Sequence, residues 1–432
     1  MNYTYKQIWL INFPVMMSIL MEQLINITDA IFLGHVGEVE LGASALAGIY
    51  YLTVYMLGFG FSVGLQVMVA RRNGERNYKE TGKTFFQGLF FLSGLSVLLC
   101  LLVHWLSPAV LEGLITSPDI YRSVVQYLDW RSLGLLFSFP FLAFRSFFVG
   151  ITETKALLWA AVAAVCINIP LNYLLIFGLD LGIAGAAMAS SLAEAGSFII
   201  LFLYMWVKVD KMRYGLKAVY DGRLLAGILQ LSVWSMLHSF ISIAPWFLFF
   251  VAIEHLGKTE LAISNITRSV STVFFVIVSS FAATTGSLVS NAIGAGQRRC
   301  LFPICGKVIK LGYAAGLPLI GLALLGNRWI IGLYTDNPIL AQQAVVPFIV
   351  MLMNYIFAVP GCVYLNAVTG TGKTDIAFAF QVTTIGVYLL YLYWISHCLH
   401  APLAVYLTAE YVFVIMQAVQ SVIYLKRKLY RD

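Results

Sequence analysis

The chain has 432 residues, 60% of them hydrophobic and 11% charged, with a formal net charge of +7. That balance excludes a soluble fold and marks a polytopic membrane protein. The basic excess is no sign of nucleic-acid binding, because Lys and Arg fall in short connections between apolar runs.

The first run, Trp9–Leu33, is long enough to cross a bilayer as a helix. It lacks a basic n-region followed by a small-residue cleavage site, so it is read as a retained first span rather than a signal peptide. It carries Asp29 near its far end. An acid inside a span costs about 2.5–3.5 kcal/mol on the insertion scale, and such residues mark ion paths or proton relays. Asp29 lies five residues before Gly34, about 8 Å from the outer end at ~1.5 Å per residue. Glu22 and Asn26 stand at i−7 and i−3 on the same helical face. One polar stripe facing protein is expected; a polar helix end reaching for headgroups is the bland alternative.

Further apolar runs follow at about 45–70, 84–106, 125–150, 156–178 and 183–208, then at 226–252, 261–293, 305–325, 344–368, 376–397 and 402–425. They make twelve spans, and the fold expected is all-α. With the N-terminus inside, the inner connections and tails hold 21 Lys and Arg and the outer ones three, Arg122, Lys258 and Arg328. That bias puts both termini in the cytoplasm. The remaining three, Arg131, Arg145 and Arg268, lie within spans.

The basic stretch Lys208–Arg223 divides the chain into two sets of six spans, and the halves are related. Gly34–Ser44 aligns with Glu254–Ser264 at a shift of 220, sharing His, Gly, Glu, Leu and Ser. Gly64, Val67, Ala70, Gly74 and Arg76 meet Gly286, Val289, Ala292, Gly296 and Arg298 at 222, and Pro140 and Gly150 meet Pro360 and Gly370 at 220. A tandem repeat of six spans is read. The expected domains are an N-lobe at 1–207, a cytoplasmic linker at 208–223 and a C-lobe at 224–432. An even number of spans gives both copies one orientation, hence a pseudo-twofold along the membrane normal. The symmetry fails at Asp29, which corresponds to Phe249, so ion coupling is expected in the N-lobe alone.

The fifth span contains Asn168 and Asn172 one turn apart around Pro170, and the sixth opens on small residues leading to Ser190. Small residues let helices approach closely. Three polar groups at nearly the depth of Asp29 suggest a site; ordinary interhelical hydrogen bonds are the alternative. In the second half, His238 and Ser242 stand one turn apart before Pro245 and Trp246, Asn354 and Tyr355 enter the tenth span, and Arg268 lies two turns into the eighth. A lone His or Arg in a bundle is more often a structural partner than a ligand.

Two motifs fail. Gly370–Thr374 resembles the end of a phosphate loop, but Ala367 stands where its first glycine belongs and no soluble strand precedes it. Gly58-Phe-Gly60 lies inside a span without dinucleotide spacing. The six cysteines (Cys100, Cys166, Cys300, Cys305, Cys362, Cys398) form no CxxC pair and imply neither metal nor disulfide.

On Pro14 with Thr28-Asp29-Ala-Ile-Phe-Leu-Gly34, Gly64…Gly74-Glu, Gly286…Gly296-Gln, Arg145…Gly150, Asn168-Ile-Pro-Leu-Asn172-Tyr and Gly182…Gly185-Ala-Ala…Ser190, the whole chain resembles the multidrug and toxin extrusion (MATE) exporters, nearest their NorM-like bacterial branch. The resemblance implies two six-helix lobes around a cavity, exporting amphiphilic or cationic organic compounds against H⁺ or Na⁺ by alternating access. The family's N-lobe acid matches Asp29, and its polar partners match Asn168, Asn172 and, more loosely, Asn26 and Ser190. A glutamate of some members' seventh span falls near Ser242 and an aspartate of their tenth near Ala358, which puts a C-lobe cation site in question.

The expectation is a secondary antiporter, not an enzyme, monomeric in a bacterial inner membrane, without cofactor or nucleic-acid partner. Asp29 would carry H⁺, or Na⁺ as the one metal considered, with Asn26, Asn168, Asn172 and Ser190. Met21, Glu22, His238, Ser242, Asn354, Tyr355 and Arg268 are candidates for the substrate cavity. A flippase for lipid-linked oligosaccharides would need several cavity arginines for a pyrophosphate. A membrane-embedded transferase would need clustered acids and His at one interface.

Overall fold

The computed structural model describes residues 3–431 except 114, 116, 255, 336 and 397–400, and leaves undescribed the side chains of 38, 246, 247, 250, 251, 254, 258 and 428–431. Cys398 and the side chains of Trp246 and Lys258 therefore lie outside the described residues. The first half comprises α1 (Tyr5–Val36), α2 (Glu38–Gly74), α3 (Tyr78–Glu112), α4 (Pro118–Leu133), α5 (Leu135–Gly150), α6 (Lys155–Tyr173) and α7 (Gly182–Lys208). The second comprises α8 (Gly222–Ile241), α9 (Ala244–Glu254), α10 (Lys258–Gly294), α11 (Leu301–Leu325), α12 (Asn327–Gly332), α13 (Pro338–Met353), α14 (Tyr355–Gly370), α15 (Thr374–Trp394), α16 (Leu403–Leu407) and α17 (Ala409–Arg431). Among the described residues eleven stretches are long and apolar enough to cross a membrane, and the bent pair α4–α5, taken as one span, makes a twelfth. The protein is an all-α polytopic membrane protein.

Four spans expected to be continuous are broken. The seventh stops at Ile241 and resumes at Ala244, because Pro245 has no N–H to donate and disfavours helix just before it. The fourth bends by 45° at Gly134, the tenth breaks at Asn354, and the twelfth breaks at Thr408. The fourth and tenth match closely. Both open on a proline, Pro118 and Pro338, where the missing N–H is no loss. Both then close on a glycine packed against a neighbouring helix. A Cβ at Gly150 would lie 2.6 Å from Val69 Cγ1 of α2, and one at Gly370 2.6 Å from Gly286 O of α10.

The connections repeat as well. At a shift of 220, rather than the 222 read around Arg76 from the sequence, Arg76 (φ 59°) and Thr152 (φ 63°) take left-handed backbone conformations that Gly296 (φ 74°) and Gly372 (φ 81°) take in the second copy. A β-branched residue there is strained. Thr152→Gly is expected to stabilise the protein by about 1 kcal/mol, after part of the relief is offset by glycine's larger unfolded-state entropy. Thermal unfolding in detergent measures it; a lower midpoint would count against the strain.

Contacts divide the chain into two units, Phe13–Phe240 and Met1–Asn12 with Ile241–Asp432. Relative to the repeat, the units exchange the start of α1 for nearly all of α8. In the second unit Asn12 accepts a hydrogen bond from Thr284 Oγ1 at 2.9 Å and donates to Ser280 Oγ at 3.3 Å. In the first, α8 lies directly on α2. A Cβ at Gly60 would stand 2.5 Å from Met236 Cα, and one at Gly64 2.8 Å from Ser232 Cα. The basic stretch 208–223 is tied to the same unit. Gln87 Nε2 donates to Val219 O at 2.7 Å, Asp221 N donates to Gln87 Oε1 at 2.9 Å, and Arg213 covers the Tyr78 ring at 4.3 Å.

Candidate functional site

Three helices of the Phe13–Phe240 unit meet around Asp29. Pro170 interrupts the α6 ladder, and α6 runs into a π turn over Leu174–Gly178, a local widening often found at functional sites. Gly185 lets α7 pass close to that turn, since a Cβ there would lie 2.8 Å from Leu175 C and O. Ser190, five residues on, thereby reaches both α6 and α1.

The geometry follows. Asp29 is buried, with 9% of its surface exposed. Its Oδ1 accepts from Asn172 Nδ2 at 2.5 Å and from Asn168 Nδ2 at 3.3 Å, and its Oδ2 accepts from Ser190 Oγ at 2.6 Å. Asn168 Nδ2 also reaches Ser190 Oγ at 3.2 Å, while Asn172 Nδ2 donates to Asn168 Oδ1 at 3.0 Å. Both asparagines are fully buried. Among the described residues Asn172 Oδ1 has no hydrogen-bond partner, and a buried acceptor left unpaired calls for an explanation. Four neutral or anionic groups from α1, α6 and α7 thus form one closed cluster with a single vacancy for a donor.

One turn beyond Ser190 on α7 stands Glu194, which sequence reading passed over. It receives both ends of the Arg131 guanidinium, Nη1 at 2.8 Å and Nη2 at 2.5 Å. Tyr51 Oη donates to the same carboxylate at 3.4 Å, and its ring lies 3.9 Å under the guanidinium. The pair occupies the α4–α5 break, where a Cβ at Gly134 would fall 2.5 Å from both Arg131 Nη1 and Glu194 Oε2. Arg131 also bears electrostatically on Asp29. An arginine inside a span and an acid at i+4 from Ser190 were the available signals; the bend that brings them together was not.

The other expected residues scatter. Asn26 and Glu22 are exposed and Met21 half-buried, so the α1 stripe is buried at Asp29 and open further back. Asn26 joins none of the bonds around Asp29. Glu22 faces the charges of Arg145 and Glu194, and Arg145 is buried with its guanidinium 5.6 Å from the Phe59 ring centre. His238 is half-buried in the last turn of α8, whereas Ser242 falls in the break after it. Asn354 sits in the α13–α14 break, its backbone O accepting from Phe357 N and Ala358 N. Tyr355 is buried and donates to Gly312 O at 2.7 Å, a structural bond between α14 and α11. Arg268 of α10 bears on Glu410 and Tyr388. Among the described residues no group of three His, Cys, Asp or Glu could hold a metal ion.

Apolar stretches enough for twelve crossings define a multi-pass membrane protein, and the family and relatives it matches make it a transporter rather than an enzyme. The chain belongs to the MatE family, whose model matches it twice, over 14–174 and 235–395. It is 25% identical over 341 residues to the probable multidrug resistance protein NorM of Chromobacterium violaceum, covering 77% of this chain and 73% of that protein. It is 26% identical over 392 residues to multidrug and toxin extrusion protein 1 of Mus musculus, covering 87% of this chain but 66% of the mouse protein, just under two thirds of its length. Among solved structures it matches a MOP superfamily transporter from Pyrococcus furiosus with a TM-score of 0.90, 18% identity, and 99% and 96% of the two chains covered. It matches the outward-facing conformation of a multidrug resistance MATE family transporter with a TM-score of 0.88, 19% identity, and 99% and 95% covered. These two likenesses establish the fold.

Proposed function

We propose that the protein is a secondary active multidrug exporter, exchanging amphiphilic, cationic organic compounds for a coupling cation by alternating access. The observation that supports it is the buried Asp29 carboxylate held by three neutral donors from two other helices. Without its proton the cluster carries a negative charge that attracts a cationic substrate; with the proton bound it is neutral, so the two occupants exclude each other. The coupling ion favoured by this geometry is H⁺. The Asn168 and Asn172 side chains present N–H groups to the carboxylate, and both amides would have to turn their oxygens inward to ligate Na⁺. A proton on Asp29 asks less, since only the Asn172 amide has to turn for its Oδ1 to accept from the protonated carboxyl.

One charge crossing 100 mV yields about 2.3 kcal/mol, and a hundredfold gradient of neutral substrate needs about 2.7 kcal/mol at about 1.4 per decade, so one proton suffices once a pH difference of about 0.3 adds the remainder. A singly charged cation exchanged for one proton draws on the pH difference alone. In this reading the lobes follow the repeat, 1–207 and 224–432, joined through the linker at 208–223. The protein is a monomer in a bacterial inner membrane with both termini cytoplasmic, in keeping with the basic inner connections. A pyrophosphate flippase is disfavoured because each intramembrane arginine already faces a carboxylate: Arg131 Glu194, Arg145 Glu22, and Arg268 Glu410.

The test is dye transport by purified protein in liposomes. With ethidium as substrate, an imposed pH gradient is expected to drive dye uphill without Na⁺. A Na⁺ gradient alone should add nothing. Movement that follows Na⁺ and ignores pH would reject proton coupling, and uphill movement under neither gradient would reject the exporter.

A further inference from the structure

We propose that Glu410 is a second proton-binding carboxylate of the coupled exchange, so that each copy of the repeat carries one. The inference rests on the exporter reading above and adds to it a site in the second copy, where Phe249 stands in place of Asp29.

The positions come from aligning the two copies in sequence. At the shift of 220, Asn168 corresponds to Tyr388 and Ser190 to Glu410, with Ala184 and Ala189 meeting Ala404 and Ala409, and Tyr173 meeting Tyr393. The structure pairs the same two positions in both copies. Asn168 Nδ2 donates to Ser190 Oγ at 3.2 Å, and Tyr388 Oη donates to Glu410 Oε1 at 3.2 Å. Tyr388 is fully buried on α15, and Glu410 opens α17 just past the break at Thr408. That break is favourable to an acid, because the first turn of α17 is the positive end of its dipole.

The composition of the two clusters is also alike. Asp29 has neutral donors on the fifth and sixth spans and Arg131 within electrostatic reach. Glu410 has a neutral donor on the fifth span of its copy and Arg268 of α10 within reach. Among the described residues, Tyr388 and Arg268 are the titratable groups that bear on the Glu410 carboxylate. The acid has moved from the first helix of the repeat to the sixth while keeping its place against the fifth. The seventh- and tenth-span positions, Ser242 and Ala358, carry no acid, and α17 supplies it instead.

Arg268 sets what the site can do. With Glu410 ionised, the two charges offset each other. When a proton adds to a Glu410 oxygen, the charge of the site rises by one, which disfavours a cationic substrate nearby. Proton binding in the second copy would thus favour substrate release, the coupling an antiporter requires.

The experiment counts protons per substrate in liposomes clamped at zero membrane potential. A tenfold proton gradient then supports about a hundredfold ethidium gradient with two protons per dye and about tenfold with one, each proton supplying about 1.4 kcal/mol per decade. The wild type is expected near hundredfold and Glu410→Gln near tenfold. A wild type limited to tenfold, or a Glu410→Gln variant that keeps hundredfold, would overturn the inference and leave the exporter standing. A wild type that sustains no ethidium gradient would reject the exporter as well. A reading independent of the variant's folding is carbodiimide labelling of the wild type, followed by peptide mass spectrometry. Labelling of Glu410 that rises as pH falls supports the site, and no labelling at any pH at which Asp29 reacts counts against it.

Discussion

Asp29→Asn is expected to abolish uphill efflux and to make ethidium binding several-fold weaker and indifferent to pH, because it fixes the cluster in its neutral form. The substitution keeps the shape of the side chain and removes the one group in the α1–α6–α7 cluster that can change its charge. It also places an N–H of its own against Asn168, Asn172 and Ser190, which now donate to the carboxylate at 3.3, 2.5 and 2.6 Å. A donor facing donors forces one amide to turn, and the Asn172 oxygen that lacks a partner can then accept. The fold should therefore survive with a loss of about 1 kcal/mol, the scale of one rearranged hydrogen bond. Gradient-driven transport, equilibrium dye binding and thermal unfolding in detergent separate these effects. Asp29→Asn protein that still concentrates ethidium would remove the proposed engine from this site.

The second large effect concerns stability. Glu194→Gln leaves the Arg131 guanidinium, whose side chain is 13% exposed, without its counter-charge in the α4–α5 break. Removing one partner of a buried pair costs about 3–5 kcal/mol, whereas replacing both by apolar residues of similar volume is often nearly neutral. Glu194→Gln is expected to fall at the lower end of that range, because Glu194 itself is 24% exposed. The double replacement Arg131→Met with Glu194→Met should recover most of the loss. Reversible unfolding in mixed micelles measures both. A Glu194→Gln protein as stable as wild type would mean that Arg131 finds another anion, and Asp29, on which Arg131 already bears, is the candidate in charge terms. The same cycle tests Gly134. Its hydrogen is all that separates the backbone from the ion pair, so Gly134→Ala should lower stability only while the pair is present.

Much of this arrangement was legible in the chain. Span number and repeat follow from apolar run length and from matches at one offset, quantities that no packing detail can alter. The cluster of Asp29 with Asn168, Asn172 and Ser190 was legible for a related reason. An acid in hydrocarbon must find donors, and these side chains lie at one depth on consecutive spans. Asn26 was misleading because helical spacing places a residue on a face without saying where a neighbouring helix covers that face. Glu194 and Glu410 escaped notice because each is a lone acid whose partner, Arg131 or Tyr388, is remote in sequence.

By itself the sequence determined the membrane class, the twelve crossings and the doubled architecture, since these depend on hydrophobic length and internal similarity. It also singled out Asp29, since burying an acid among apolar neighbours is costly wherever the helix packs. Only the tertiary structure decided which polar groups face one another. That choice depends on the bend at Gly134, the π turn after Pro170 and the close approach at Gly185, each a matter of a few ångströms between backbones. Those distances are set by three-dimensional packing, which residue order expresses only once the helices have met.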